Sequence, residues 1–471
     1  MKRKNIVLIM SCALALAGCK PQAEATVTKE EPPPAKEAQA PAPDVPTTSV
    51  QAAEPAMTLF KNVRVFNGTD AKLLDVDVLV VNNLIKEVSA TEIQADGATV
   101  IDGGGRTLMP GLADTHVHIA FASLSLPDLL TGDPTYNYVH ATRDAQTFLM
   151  NGVTTIRDMG GNVFGLKRAI DEGLVPGPRI YPSGAMLSQT GGHGDFRMGN
   201  QDNPDFGGSY SAFSLQGHTR VVDGVAQVLA GARENLRKGA SQVKMAAGGG
   251  YASPSDPLTG NQFTFEEIKA AVETAADWQT YVTIHSYHPT AINRAIDAGI
   301  KDVGHGQLLD EKTLRRMAKE GVFLSTQPFT VCHEPQLDDF SNAKLDQVCK
   351  GTAFVYETAK KIPDLKITYG TDLFNLTEEE VAQSVKQMER LLKWYEPVEI
   401  LRMATSTAGE LFQMSGLRNP YRDGDLGVVK EGAYADLLLV DGNPLEDLTA
   451  VTDNSNLRII MKDGKIYKNT L

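Results

Sequence analysis

The organisation of the chain is decided by one stretch, Met109-Pro110-Gly111-Leu112-Ala113-Asp114-Thr115-His116-Val117-His118. Its apolar first half predicts a buried strand, and its second half places two histidines two positions apart. Alternate side chains of a strand point to the same face, so His116 and His118 can bind one metal ion together. A His-x-His pair is a weak signal by itself. Its position at the end of a strand is what gives it weight.

Around this stretch, residues 111–415 alternate short apolar runs with helical patterns, for example at 265–279 and 379–394. Such alternation predicts βα units and a parallel sheet. Strands are predicted at 113–118, 153–158, 179–183, 242–246, 281–285, 301–304, 321–325 and 366–371. Eight strands separated by helices favour an α/β fold of the closed (β/α)₈ TIM-barrel type. An open doubly wound sheet would also need a glycine-rich phosphate loop, which the sequence lacks.

The two flanks of this region have a different texture. Residues 57–110 and 416–471 alternate apolar and polar positions, with turn signals at Asn67-Gly68 and Asp463-Gly464. Period-two alternation with such turns is typical of antiparallel strands. The pattern predicts one small β-sandwich domain assembled from both flanks, with the barrel between its two parts.

The first residues predict export and lipid attachment. A basic start and an apolar run at 6–16, too short to span a bilayer, are typical of a signal peptide at residues 1–18. The run ends in Leu16-Ala17-Gly18-Cys19, which resembles a bacterial lipobox, and this resemblance implies acylation of Cys19. Lys20 after that cysteine favours the outer membrane, on its periplasmic side. The alternative is an ordinary secretory signal cut elsewhere. Residues 19–56, rich in Pro, Ala and Glu, predict a disordered linker.

Net charge limits the classes of partner that the chain can bind, and the cysteine content raises the question of a disulfide. A net charge of −13 argues against a nucleic acid partner, and the only membrane contact predicted is through the lipid anchor. Cys332 and Cys349 remain as a pair in an oxidising compartment, where a disulfide and two buried free thiols are both open.

Further candidate site residues lie at predicted strand ends, where a barrel of this type has its active site. His285, His305 and Asp372 end strands five, six and eight, and Lys244 lies inside an apolar run of strand four. A buried lysine needs a partner or a modification; the alternative is that it pairs with a carboxylate or extends towards solvent. Inward-facing imidazoles and a carboxylate need compensating charge, which metal supplies.

Several phrases give these residues a family resemblance. They are Gly152-Val153-Thr154-Thr155-Ile156-Arg157-Asp158, Thr190-Gly191-Gly192-His193-Gly194-Asp195, Gly304-His305-Gly306-Gln307-Leu308-Leu309-Asp310-Glu311, Gly370-Thr371-Asp372 and Gly432-Ala433-Tyr434-Ala435-Asp436-Leu437. With the opening stretch, they resemble the amidohydrolase superfamily, in the branch of imidazolonepropionases and Xaa-Pro dipeptidases. The resemblance runs from about residue 58 onwards.

The resemblance implies a binuclear metal site. His116 and His118 hold one divalent ion together with Asp372, and His285 and His305 hold the second. Lys244, carboxylated by CO₂, bridges the two ions. Zinc is favoured; manganese, iron and cobalt are alternatives. Asp372 is also the catalytic base, which takes a proton from the attacking water and passes it to the leaving amine.

The resemblance also implies substrate contacts. His193 and Tyr287 are expected to donate to the substrate carboxylate or carbonyl, although a loop-stabilising role for His193 is the alternative. The remaining histidines, His140, His218, His288 and His333, are expected away from the site.

The predicted function is hydrolysis of an amide bond in a small molecule, either a dipeptide or an N-acyl amino acid. Tyr287 and Leu373-Phe374-Asn375 depart from the usual pattern and are closer to amidohydrolases that release an aromatic amino acid. Hydrolysis of a cyclic amide or a lactone is the alternative within enzymes. A solute-binding lipoprotein without turnover is the alternative outside them, and a homo-oligomer is open.

Overall fold

The structure of the protein is a computed structural model, and it describes residues 55–253, 256–335 and 337–471. The predicted signal peptide, Cys19 and nearly all of the predicted linker lie outside the described residues. Within the described part of the chain, no helix combines the length and the apolar character needed to cross a membrane.

The eight predicted strands of the middle region are all present, in two parallel sheets. The smaller sheet contains β8 (Leu112–Val117), β9 (Val153–Asp158) and β10 (Arg179–Pro182). The larger contains, in chain order, β11 (Met186–Ser188), β12 (Thr219–Val221), β13 (Val243–Ala246), β14 (Val282–Ser286), β15 (Asp302–His305), β16 (Phe323–Thr326) and β17 (Ile367–Tyr369). The three-residue strands β11 and β12 were not predicted. They occupy the edge of the larger sheet, next to β13.

Helices follow most of these strands. The α-helices are α1 (Leu126–Thr131), α2 (Pro134–Met150), α3 (Phe164–Asp171), α4 (Ala212–Leu215), α5 (Gly224–Lys238), α6 (Phe265–Asp277), α7 (Pro289–Ala298), α8 (Glu311–Glu320), α9 (Asp339–Ala359), α10 (Glu378–Ala382), α11 (Pro397–Met403), α12 (Ser406–Gln413) and α13 (Thr449–Thr452). Helix α6 begins at a capping box formed by Thr264 and Glu267, which satisfies free amides of its first turn. The helix predicted at 379–394 is instead α10 followed by a 3₁₀ segment, Ser384–Lys393.

The prediction of a parallel α/β fold is confirmed, but the strands do not form one closed hydrogen-bonded ring. At the first seam, between β8 and β17, the Thr115 hydroxyl donates to the carbonyl of Tyr369 at 2.8 Å. At the second seam, between β10 and the start of β13, the backbone amide of Ser241 donates to the carbonyl of Pro182 at 2.7 Å. Isolated contacts of this kind replace a continuous strand ladder at both seams.

The two flanks of the chain form two further sheets, one built from the first flank alone and one that joins strands of both flanks. One has the order β5-β4-β1-β6, where β1 is Met57–Lys61, β4 is Asp77–Val81, β5 is Leu84–Ser89 and β6 is Thr99–Asp102. The other has the order β20-β19-β18-β7-β2-β3, where β2 is Arg64–Val65, β3 is Leu74–Asp75, β7 is Thr107–Pro110, β18 is Leu437–Val440, β19 is Leu457–Lys462 and β20 is Lys465–Asn469. One apolar cluster, including Phe60, Val80, Leu108, Leu439 and Ile459, takes residues from both sheets.

A buried ion pair connects strands of the two parallel sheets. Arg157 on β9 donates to Asp302 on β15 at 2.9 Å, and both side chains are fully buried. The guanidinium also donates to Tyr281, Ser325 and the carbonyl of Thr115. These contacts fix strands of both sheets around one cation.

The two cysteines left open by the sequence form a disulfide. Cys332 and Cys349 are bonded, with their Cα atoms 5.3 Å apart. The bond connects the segment after β16 to the middle of α9.

Candidate metal centre and substrate cavity

The first predicted metal site is assembled from β8 and the turn after β17. The Nε2 atoms of His116 and His118 lie 3.3 and 3.4 Å from Oδ1 of Asp372. The ligand atoms of these three side chains lie within 4.8 Å of one another. They could therefore share one metal ion, as expected from the sequence.

The second predicted set comes from three adjacent strands. The register pairs Ala246 with His285 and Ser286 with His305, so the two histidines reach the same edge of the sheet. Their ring centroids are 4.2 Å apart, and the His305 ring is 4.7 Å from that of His116. The structure thus brings both histidine pairs into one cluster.

Lys244 is the anomalous member of this cluster. Its side chain is 1% exposed, and Nζ is buried without a hydrogen-bond partner among the described residues. Burial lowers the pKa of Lys244 to about 7. A neutral amine is therefore accessible near neutral pH. The alternative of a lysine that extends towards solvent is wrong.

Two glycines make room for His116. A Cβ atom at Gly370 would lie 2.6 Å from Cβ of His116, and one at Gly304 would lie 2.9 Å from its ring. His305, which follows Gly304, has a φ of 84°, and Asp372, two residues after Gly370, has a φ of 55°. Left-handed backbone at residues other than glycine is uncommon and clusters at functional sites. His305 is the last residue of β15 and Asp372 lies just after β17, so both left-handed residues stand at strand ends.

Backbone and amide groups orient the histidines from behind. Nδ1 of His118 lies 3.1 Å from the carbonyl of Gly160, and Nε2 of His285 lies 3.1 Å from that of Gly249. The Gln327 amide is shared, with Oε1 2.8 Å from Nδ1 of His305 and Nε2 3.3 Å from Nδ1 of His116. Such contacts fix ring orientation in metal sites. The role of Gln327 was missed because its spacing in the sequence carries no motif.

The electrostatics of the cluster suit cation binding. Burial lowers the pKa of His116 and His285 well below the usual value and that of His305 to about 3, so these rings are neutral at pH 7. Burial raises the pKa of Asp372, but His305, His118 and Lys244 outweigh burial and lower it. Neutral imidazoles with an ionised carboxylate are ligands for divalent metals.

The donor set accordingly fits metal ions. Nε2 of His116, although 3.3 Å from Oδ1 of Asp372, has no hydrogen-bond partner among the described residues, and neither has Nζ of Lys244. Unsatisfied buried polar atoms are rare in proteins and call for an explanation, which a bound ion provides. The second set contains only two histidines unless Lys244 adds a ligand, which its ammonium form cannot do because an ammonium has no lone pair.

A cavity opens beside the cluster. Its wall next to His118 is aromatic: the ring centroids of Phe121 and Phe213 are 5.1 Å apart, and those of Phe121 and Phe374 are 5.8 Å apart. His218 lies in the same wall, 5.2 Å from the ring of Phe121. The expectation that His218 lies away from the site is wrong, because the histidine directly precedes the unpredicted strand β12.

The opposite wall contains the two predicted substrate contacts. The His193 ring stacks on that of His285 at 3.9 Å, and Nδ1 of His193 lies 3.0 Å from the Ser253 hydroxyl. Tyr287 is buried, with its ring 4.9 Å from that of His305. Both residues line the cavity, together with Tyr251 and Ser253. The Ser253 contact also suits the loop-stabilising alternative for His193.

Comparison with known proteins identifies the family. The model of the amidohydrolase family matches residues 107–467, so the chain belongs to this family. It is 30% identical over 378 residues to an ochratoxinase from Aspergillus niger, covering 77% of this chain and 75% of the relative. The family resemblance drawn from the sequence is confirmed, and the chain is a hydrolase that acts on carbon–nitrogen bonds.

Solved structures agree with this assignment. A prolidase crystallised with N-methylphosphonate-L-proline matches with a TM-score of 0.80 and 33% identity, over 88% of this chain and all of the other. A Xaa-Pro dipeptidase with bound methionine matches with a TM-score of 0.75 over 88% and 100% of the two chains. Its identity of 24% supports the fold alone.

Proposed function

We propose that the chain is a binuclear metal-dependent amidase that releases an apolar amino acid from an N-acyl amino acid or a dipeptide. One observation carries the proposal: six side chains suited to metal binding and catalysis converge beside a cavity with an aromatic wall. The similarity to an ochratoxinase and a prolidase supports hydrolysis of an amide.

Metal binding would use the two groups described above. Two divalent ions, held by His116, His118, Asp372, His285, His305 and a carboxylated Lys244, would supply an activated water and a Lewis acid. The neutral amine of Lys244 can add to CO₂ with release of one proton to solvent, and the resulting carbamate offers two oxygens that share one negative charge, where an ammonium offers no ligand atom. Asp372 is ionised, so its carboxylate can accept a proton during attack and return it to the leaving nitrogen.

Substrate recognition follows from the two walls of the cavity. The wall of Phe121, Phe213 and Phe374 can pack against a large apolar group and shield it from water. Among the described residues that line the cavity there is no lysine or arginine. A substrate carboxylate would therefore be held by neutral donors, with Tyr287 and His193 proposed for this role. Hydrogen bonds to a charged group contribute about 1.5–3 kcal/mol.

The test compares N-acyl-L-phenylalanine with its carboxamide, using the zinc- or manganese-loaded enzyme. Amidation should lower kcat/KM roughly ten- to a hundredfold, and Tyr287→Phe should reduce this discrimination. N-acylglycine, which lacks the apolar side chain, should be a poorer substrate than N-acylphenylalanine. Equal cleavage of acid and amide would refute carboxylate recognition and favour the cyclic amide or lactone alternative.

Two finer points are proposals as well. The contacts at both seams support a single (β/α)₈ barrel, flanked by a β-sandwich of the two chain ends. The lipobox-like Leu16-Ala17-Gly18-Cys19 supports a lipid anchor facing the periplasm. Cys19→Ala should abolish lipid attachment. If that variant still sediments with membranes and partitions into detergent, the anchor lies elsewhere.

A further inference from the structure

One buried lysine lies outside the metal cluster and has no part in the chemistry proposed above. Lys344, on α9, is 3% exposed. Its Nζ donates to the carbonyl oxygens of Gly250, Ser253 and Asp256 at 2.7, 2.5 and 3.1 Å. An ammonium has three N–H donors, and here all three serve the segment that follows β13. One cation therefore binds three backbone carbonyls of this segment, those of Gly250, Ser253 and Asp256.

The segment that Lys344 holds forms part of the cavity wall. Tyr251 and Ser253 both line the cavity. The Ser253 hydroxyl lies 3.0 Å from Nδ1 of His193 and 3.1 Å from the carbonyl of Gly250. A Cβ atom at Gly250 would lie 2.1 Å from the His193 ring, so backbone and ring are in tight contact. A shift of this backbone must move His193.

A second link runs through Asp256. Its Oδ2 accepts from the amide of Gly250 at 3.0 Å and from the side chain of Gln262 at 2.9 Å. Gln262 in turn accepts from the amide of His193 at 3.0 Å. Both routes lead from the carbonyls bound by Lys344 to the same histidine.

Helix α9 also supports the cavity through apolar packing. One turn after Lys344, Val348 packs in a buried cluster with Leu258 and Tyr287. The next residue, Cys349, is bonded to Cys332. The helix is thus fixed against the same wall at consecutive turns.

We infer that Lys344 is a positioning residue, which sets the polar wall of the cavity by holding the carbonyls of Gly250, Ser253 and Asp256. The kinetic effect that the inference predicts rests on the proposed function. It predicts a defect in substrate binding with the metal cluster left intact, since Lys344 contacts none of the predicted ligands.

The test replaces the ammonium while keeping an unbranched chain, in Lys344→Met. We expect kcat/KM for N-acylphenylalanine to fall roughly ten- to a hundredfold, mainly through KM, because misplaced substrate-binding groups have effects of this size. Metal content should equal that of the wild type. Lys344→Arg, which restores a cation with several donors, should recover part of the loss. Lys350→Met is the matched control, since this lysine is exposed on the same helix.

Hydrogen exchange provides a readout that needs no substrate. In Lys344→Met, the backbone amides of Gly250 and Gln262 should exchange about tenfold faster or more, because the first donates to the side chain of Asp256 and the second to the carbonyl of Ala247, on either side of the carbonyls that Lys344 binds. Exchange in the terminal sheets should not change. If neither the wild type nor any variant hydrolyses an amide substrate, the proposed function fails. Hydrogen exchange still decides whether Lys344 holds the segment in place.

Ser253→Ala extends the test in case Lys344→Met folds poorly. Ser253→Ala removes the hydroxyl contact to His193, so it should also raise KM. The loss in kcat/KM of the double variant, expressed as a free energy, should be smaller than the sum of the losses of the two single variants. Additive losses, wild-type KM in Lys344→Met, or unchanged exchange of the Gly250 amide would each overturn the inference.

Discussion

Two buried polar clusters lie in the parallel sheets, and β14 and β15 contribute to both, yet the clusters differ in how their polar atoms are satisfied. The ion-pair cluster is Arg157, Asp302 and the hydroxyls of Thr283 and Ser325, which both donate to Asp302 at 2.6 Å. None of these side chains has a buried polar atom without a partner. The metal cluster of His116, Lys244, His285, His305 and Asp372 leaves Nζ of Lys244 and Nε2 of His116 unpartnered.

The difference separates two uses of buried charge. A cluster whose hydrogen bonds are met by protein groups stabilises the arrangement of strands and offers nothing to a ligand. A cluster with unmet donors and acceptors, on strained backbone, is complete only when something binds. Position in a strand alone does not distinguish the two clusters, because Arg157 and Asp302 also lie on fully buried strands.

The largest expected effect is at Lys244. Lys244→Ala removes the proposed bridging anion, so kcat/KM should fall roughly a thousandfold or more, as when a group that stabilises the transition state is removed. The second metal should be lost with it, while far-ultraviolet circular dichroism stays unchanged. Wild-type metal content and turnover in this variant would contradict the carbamate.

The ion-pair cluster should respond in stability instead. Asp302→Asn leaves Arg157 buried without its charge partner, and breaking such a pair costs about 3–5 kcal/mol. Urea unfolding measures this loss. Glu410→Gln, which removes the exposed ion pair with Lys366, should cost less than about 1 kcal/mol. A small change for Asp302→Asn would show that the two clusters do not differ as described.

The smallest effect concerns pH and the carbamate. CO₂ adds to the neutral amine, and burial of Lys244 disfavours its ammonium, with a pKa of about 7. The neutral fraction then rises about tenfold between pH 6 and pH 8 and approaches saturation, whereas an ordinary lysine would gain about a hundredfold. Reactivation of CO₂-depleted, metal-free enzyme at constant dissolved CO₂ should follow the tenfold course. A hundredfold rise would indicate a solvated lysine.

Much of this arrangement follows from the sequence, for physical reasons. The eight short apolar runs predict the main strands because strands buried on both faces are rich in apolar residues. The ligand candidates are visible because His116, His285, His305 and Asp372 end such runs. Strands β11 and β12 are too short to show a pattern, and with β12 the place of His218 was missed.

Other features depend on contacts that no local pattern records. Lys344 binds backbone carbonyls about ninety residues earlier in the chain. Because every residue has a backbone carbonyl, no sequence pattern at 250–256 could indicate this contact. Gln327 acts through two histidines from distant strands. The disulfide between Cys332 and Cys349 needed the path of α9 to be known.

The most direct test of the central claim is a count of metals and carbamate in one sample. Protein prepared with ¹³C-labelled bicarbonate and excess zinc should contain two zinc ions per chain and one labelled carbamate in its ¹³C NMR spectrum. Lys244→Ala should lack the carbamate signal. One zinc per chain with no carbamate in the wild type would contradict a binuclear site bridged by Lys244.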